Sequence, residues 1–449
     1  MNAVSTLPGR GMLGRRRRPK PGAAPPQGTW ASAGGESGVA LGRLLAGDRA
    51  LPVAAGVAVL SAERACRHVV LLGATGSGKT ETALAIAYAL ARYTPAQVFY
   101  LDGKGDRDTA RRFAGLMRLA GRECRVFPHE RFDGWRGDRV ALQNRLMEIV
   151  DYATDGPAAY YRDIAKTTLA LACHAGDGPP RSSRDLLGRL DRGFLSREHG
   201  AAAACLTADQ VRQVRMRYQA FFAGTGELLD GAWSWQDTPT GYLLLDSLAL
   251  REEASSLARV LFEDFAQYFT QRKPQDQRCF LIVDEFSALA QTGQMASRVE
   301  QARGYATGLI LAPQTTAGMG GPEQAARILG SAETIICHRL STPEDIVARA
   351  GTRLTPERSL AYNPVGATGD GSIRVQHQYR VDPNDVRRLP TGQAWVIARG
   401  QAMKLAIHPA PNVSERLPPD EVHSQTAATT STGPRGTVGP PPLRWTLFD

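Results

Sequence analysis

The run Gly73-Ala74-Thr75-Gly76-Ser77-Gly78-Lys79-Thr80 fits the pattern G-x-x-x-x-G-K-[ST]. Its glycines let successive backbone N–H groups turn inward around phosphate oxygens, and a helix starting at Lys79 adds the positive end of its dipole. Lys79 is the residue to contact β- and γ-phosphates, and Thr80 the one to place a hydroxyl on Mg²⁺. ATP and Mg²⁺ are therefore the implied ligands. Downstream, Phe280-Leu281-Ile282-Val283-Asp284-Glu285 is an apolar run closed by two acids. At the C-terminal edge of a parallel sheet, Asp284 would hold the Mg²⁺ shell and Glu285 would orient and polarise an attacking water.

Two further residues are spaced to serve such a site. Arg303 follows Asp284 by a length that suits a helix and a turn at Gly304, and Gln314 then falls at the end of the next strand. A guanidinium delivered by a neighbouring subunit stabilises charge on a γ-phosphate, and an amide at a strand tip senses that phosphate or the water. A helix-capping Arg303 and a turn-filling Gln314 stay open as plainer readings. Asp102-Gly103-Lys104-Gly105-Asp106 reads equally well as a structural turn and as a functional loop. Arg339 is a possible second phosphate sensor, with a surface arginine as its alternative.

These residues need a sheet to hold them. Val69–Leu72 reads as the strand before the glycine run, and Ala83, Leu84, Ile86, Ala87 and Leu90 recur at helical spacing behind it. Short apolar runs at 98–101, 125–127, 242–245, 280–283, 309–311 and 334–336 alternate with helical patterns. That is the signature of an α/β, doubly wound, mostly parallel sheet. From 139 to 225 the strand signal vanishes, which predicts a helical insertion. Its aromatics Tyr160, Tyr161, Tyr218, Phe221 and Phe222 read as core by their spacing, with base stacking as the alternative. Ile373, Val375, His377 and Tyr379 alternate with polar residues, predicting a strand with one buried and one wet face. The resulting division is a basic arm at 1–38, a core at 39–138, the insertion at 139–225, a second core segment at 226–408 and a disordered tail at 409–449.

Composition limits what surrounds this core. The 449 residues suit two to four domains at about 100–200 residues each. The net charge is +10. Arg10, Arg15, Arg16, Arg17, Arg18 and Lys20 concentrate the excess in an arm suited to phosphate contacts or to solubility. The tail ends in the apolar Leu443–Phe448. Six scattered cysteines without a C-x-x-C pair read as reduced thiols of a cytoplasmic protein. The first twenty residues hold charge but no apolar core, and the nine-residue apolar run at 52–60 is short of the ~18 residues of a membrane span.

Taken in order, Arg67-His68 before the glycine run, LDGKGD, LIVDEF, Arg303 with Gln314, and Val381-Asp382-Pro383 through Leu389-Pro390-Thr391-Gly392 resemble the type IV coupling proteins. Those are conjugative DNA-transfer ATPases among the FtsK/HerA-like motors, and the resemblance spans about 41–408. It implies a RecA-like P-loop domain whose inserted helices stand where that family has its all-alpha domain. It further implies a hexameric homo-oligomer, with Arg303 completing the neighbour's site and DNA in a central channel. A relaxase–DNA complex and a membrane secretion channel are the implied partners. Family members typically begin with transmembrane helices; this chain shows no such segment, so partners would supply its membrane association. A motor acting on protein and an ATP-switched DNA scaffold are the competing functions.

Overall fold

The computed structural model describes residues 29–176, 178–273, 277–285, 295–363 and 366–413, with 248, 358–363 and 366–372 described by backbone alone. The basic run Arg15–Arg18 and the apolar Leu443–Phe448 lie outside the described residues.

Four strands precede the glycine run: β1 Trp30–Ala33, β2 Glu36–Gly47, β3 Val53–Ala54 and β4 Val57–Ser61. β5 Val69–Leu72, β6 Gln97–Asp102 and β7 Arg125–Phe127 follow. After a helical stretch come β8 Thr240–Leu244, β9 Cys279–Asp284, β10 Thr307–Ala312 and β11 Thr334–Cys337. A hairpin of β12 Thr352–Asn363 and β13 Gly366–Tyr379 leads to β14 Gln393–Ala398 and β15 Gln401–Ile407. Thirteen strands form one sheet in the order β3-β4-β2-β15-β14-β11-β5-β10-β9-β6-β8-β7, with β1 beside β2.

From β11 through β7 every pairing is parallel. These strands are apolar without alternation because helices cover both faces. Alternate residues serve opposite layers: Val70, Leu72, Leu281 and Val283 join one core, and Val69, Leu71, Phe280 and Ile282 the other. The helix Lys79–Tyr93 packs Leu84, Ile86 and Leu90 into the second layer, and the helix Glu252–Thr270 packs Leu257, Leu261 and Phe265 into the first. This is the RecA-like P-loop architecture.

The other half of the sheet is antiparallel and revises two borders. The arm placed at 1–38 gives way to strand at Trp30, because β1 and β2 pair from Trp30↔Val39 to Ala33↔Glu36. Glycine there serves close pairing: a Cβ on Gly38 would lie 2.2 Å from the Leu60 carbonyl oxygen. At the other end, Ala410 and Val413 are buried and His408 N donates to Leu41 O, so the tail placed at 409–449 begins later.

Between Arg139 and Thr225 the regular elements are helical, the longest being Ala159–His174 and Ala208–Thr225. The second opens with a capping box of Thr207 and Gln210. The aromatics divide: Tyr218, Phe221 and Phe222 are buried, whereas Tyr160 and Tyr161 are 57% and 48% exposed. Arg145 ties this region to the core through a buried ion pair with Asp264 at 2.5 Å and a hydrogen bond to the Gln267 side chain. Asp264 also accepts from the Trp235 indole at 2.9 Å.

The predicted half-buried strand is corrected. β12 and β13 form their own two-stranded sheet, in which Ile373, Val375 and Tyr379 are exposed. A lone hairpin has no second layer to cover its apolar residues. All six cysteines are free, and burial pushes the thiols of Cys173, Cys279 and Cys337 up to about 12, so they stay protonated and unreactive. No described helix is long and apolar enough to cross a membrane.

The Arg145–Asp264 pair should dominate the junction energetically. Asp264→Ala is expected to lower unfolding free energy by about 3–5 kcal/mol, since it strands a buried guanidinium. Asp209→Ala, at the exposed Arg212–Asp209 pair, should change it by less than ~1 kcal/mol. Denaturant titration measures both.

Candidate nucleotide site

β5 ends at Leu72, and the chain turns through residues 73–78 into the helix Lys79–Tyr93. Gly73 is a packing requirement, because a Cβ there would meet Ser77 Oγ at 2.6 Å and the His338 Cβ at 2.7 Å. The loop is held from behind by elements distant in sequence. Ala74 N donates to Arg339 O at 2.8 Å, Gly392 N to Ser77 O at 3.3 Å, and the Thr391 hydroxyl to Gly76 O at 3.2 Å. Arg339 thus serves through its carbonyl, and its side chain is exposed.

His338 is a site residue that sequence reasoning missed. Its Nδ1 lies 3.0 Å from Gln393 O and its Nε2 3.0 Å from the Thr82 hydroxyl. A carbonyl only accepts, so Nδ1 carries the proton and Nε2 accepts from Thr82, fixing the first turn behind the loop. Burial pushes its pKa down to about 4, which keeps the ring neutral beside Lys79. The only sequence signal was its place directly after a strand.

Lys79 is 6% exposed, and its ammonium donates to Gly73 O at 2.5 Å. Burial lowers its pKa, and Asp284 opposes that shift. Ser77 Oγ is buried and has no hydrogen-bond partner. A loop whose hydroxyl is orphaned and whose ammonium, among the described residues, is hydrogen-bonded to its own Gly73 carbonyl suits an incoming polyphosphate.

β9 delivers the acids. Asp284 is 4% exposed and accepts from the Tyr100 hydroxyl at 2.9 Å. Its Oδ2 lies 3.4 Å from the Thr80 hydroxyl, so Thr80 and Asp284 are together, as a Mg²⁺ site requires. Among the described residues no cluster of three or more His, Cys, Asp or Glu forms a metal site alone. Glu285 stands in the left-handed region at φ +58°, a strained backbone for a non-glycine residue at the strand tip. Its carboxylate accepts from the Gln314 amide at 2.7 Å, which brings together two residues that the sequence separates widely.

Arg303 is elsewhere. It precedes β10 while Gln314 follows it, so about 20 Å of strand separates them, and Arg303 is exposed at the opposite sheet edge. It does not reach this chain's own loop.

The Asp102–Asp106 segment does reach the site. Gly103 N donates to Asp284 O at 3.1 Å. Asp102, 1% exposed, accepts from Lys104 N and Asp106 N, each at 2.8 Å, and from the Tyr242 hydroxyl at 2.8 Å. Burial pushes its pKa up to about 6 against those donors.

No known family profile matches the chain. Over 111 residues it is 26% identical to the type 4 coupling protein DotL of Legionella pneumophila, a match spanning 25% of this chain and 14% of DotL. The solved conjugative coupling protein TrwBdeltaN70 aligns over 84% of this chain and 96% of its own, at 15% identity and TM-score 0.59. TrwB in complex with ADP and Mg²⁺ aligns at 17% identity and TM-score 0.57, covering 83% and 95% of the two chains. VirB4 of Thermoanaerobacter pseudethanolicus aligns at 13% identity and TM-score 0.58, covering 86% and 100%.

A neutral buried histidine gives a signed pH effect. Between pH 6.5 and about 4 the unfolded chain binds the proton that folded His338 refuses, so this group removes stability as pH falls through that window. His338→Asn is expected to lose less stability than wild type from pH 6.5 to 4, read by denaturant titration at each pH.

In its described fold the chain is a RecA-like α/β P-loop protein, and it is similar to the type IV coupling proteins.

Proposed function

We propose that this chain is a ring-forming ATPase that moves DNA in a type IV secretion or conjugation setting. The observation carrying the reading is the convergence of Lys79, Thr80, Asp284, Glu285 and Gln314 at the C-terminal edge of β5, β9 and β10. A phosphate loop alone binds nucleotide; a glutamate held by an amide beside the Mg²⁺ acid supplies hydrolysis. The coupling-protein likeness supports DNA as the track.

In this mechanism the backbone N–H groups of residues 73–80 bind the β- and γ-phosphates, and the Lys79 ammonium leaves Gly73 O for a phosphate oxygen. Thr80 and Asp284 would hold Mg²⁺, which would neutralise phosphate charge. Glu285, aimed by Gln314, orients a water in line with the γ-phosphorus and takes its proton as the new P–O bond forms and the bond to the ADP oxygen breaks. The position of Arg303, exposed and remote from its own loop, fits delivery to a neighbouring subunit, which makes the homo-oligomer part of the active site. Membrane association would come through a secretion channel, and cargo through a relaxase–DNA complex.

Steady-state ATPase activity with no polymer, single-stranded DNA, duplex DNA or RNA tests this reading. Strong stimulation by one DNA form is expected; indifference to every nucleic acid would favour a protein substrate. Lys79→Ala should lose turnover, and Glu285→Gln should bind ATP and stall, each by ~10²-fold or more. An unchanged Glu285→Gln rate would point to a scaffold. Arg303→Ala should be inactive alone yet regain turnover when mixed with Lys79→Ala subunits, which keep the arginine. Normal hydrolysis by Arg303→Ala within assembled rings would refute delivery in trans.

A further inference from the structure

The Asp102–Asp106 loop has a construction that a plain turn does not need. A buried carboxylate at the end of β6 gathers two backbone N–H groups from the loop and one tyrosine hydroxyl. Leu245 N donates to Asp102 O at 2.9 Å, tying the loop's base to the neighbouring strand end. Gly103 is hydrogen-bonded to the backbone of Asp284, the Mg²⁺ acid. Three elements therefore fix the chain just before Lys104 against the nucleotide site.

Lys104 is exposed, and its ammonium makes no hydrogen bond or ion pair among the described residues. Its charge acts on the Lys79 ammonium and, with the opposite sign, on the neighbouring Asp106 carboxylate. The backbone bond from Gly103 to Asp284 sets Lys104 next in the chain to the Mg²⁺ acid, and like charges at one site repel unless a polyanion bound by both relieves that repulsion. Arg303 lies at the other edge of the sheet, so Lys104 is a cation that this chain itself offers to the outer phosphate.

We propose that Lys104 is a further nucleotide contact, a cation that binds the γ-phosphate of ATP together with Lys79, with Asp102 as its positioning residue. This rests on the ATP reading of residues 73–80. Lys104 would sense whether the γ-phosphate is present: ATP offers it a partner that ADP lacks. Asp102 acts only through the loop, since its carboxylate is occupied by N–H and O–H donors.

The test compares ADP with a non-hydrolysable ATP analogue, each with Mg²⁺, in calorimetric titrations of the full chain. Lys104→Ala is expected to hold ADP within about twofold of wild type and to bind the analogue about tenfold more weakly. Lys104→Arg should restore most of that loss. Asp102→Asn places an amide against two N–H donors, so it should weaken the analogue more than ADP, in the same direction as Lys104→Ala. An unchanged ADP-to-analogue ratio in Lys104→Ala overturns the proposal. So does an equal loss for both nucleotides with a lowered melting temperature, which marks a structural role. A defect confined to DNA stimulation, with the ratio unchanged, overturns it in favour of a DNA contact. Should wild type hydrolyse no more ATP than Glu285→Gln, the motor reading fails, while the binding ratio still decides the role of Lys104.

Discussion

Two carboxylates lie side by side at the sheet's C-terminal edge, and much of the surrounding structure answers the cost of keeping them there. Asp102 and Asp284 are paired residues of adjacent parallel strands, 1% and 4% exposed. Buried acids require donors or a cation, or they take up protons. Tyr242 and two loop N–H groups serve Asp102; Tyr100 and Thr80 serve Asp284. The two tyrosines stack with centroids 4.9 Å apart, so one aromatic pair in the core supports both acids. The site's chemistry and the packing of the strands beneath it are the same set of atoms.

That arrangement depends on parallel register. β6, β9 and β10 align Asp102, Asp284 and Ala312 in one row, which sets Gln314 where its amide reaches Glu285. A slip of one residue would turn each acid to the opposite face. Closure from the other side is supplied by the antiparallel half. β14 begins at Gln393, directly after the Thr391-Gly392 contact with the phosphate loop, and β15 returns to pair with β2. The strands before the loop and those at the far end of the described chain thus brace one another beside the site.

The inserted helices meet this core through the buried Arg145–Asp264 pair, which joins the helix Arg139–Met147 to the helix Glu252–Thr270. A charged junction of this kind is specific in geometry, because either partner alone is costly to bury. The exposed tyrosines of the insertion and the uncovered apolar residues of the β12–β13 hairpin mark surfaces that the described chain leaves open to solvent.

By itself the sequence determined the parallel core, the helical stretch and the glycine run between β5 and its following helix. Each rests on local signals: unbroken apolar runs for strands covered on both faces, helical spacing for their connections, and a glycine run whose use is chemical. The antiparallel flank was hidden because β1 and β2 are rich in Gly, Ala and Ser, and a glycine that admits close strand pairing looks the same in sequence as one that marks a flexible arm. The alternation at 373–379 correctly marked a strand, yet whether an apolar face is covered depends on a second layer that no local pattern contains. Contacts between distant residues were beyond it too. His338 behind the loop, Arg339 acting through its carbonyl, Gln314 on Glu285, and Gly103 bonded to Asp284 depend on which strand ends are neighbours, and strand order is decided only when the whole sheet assembles.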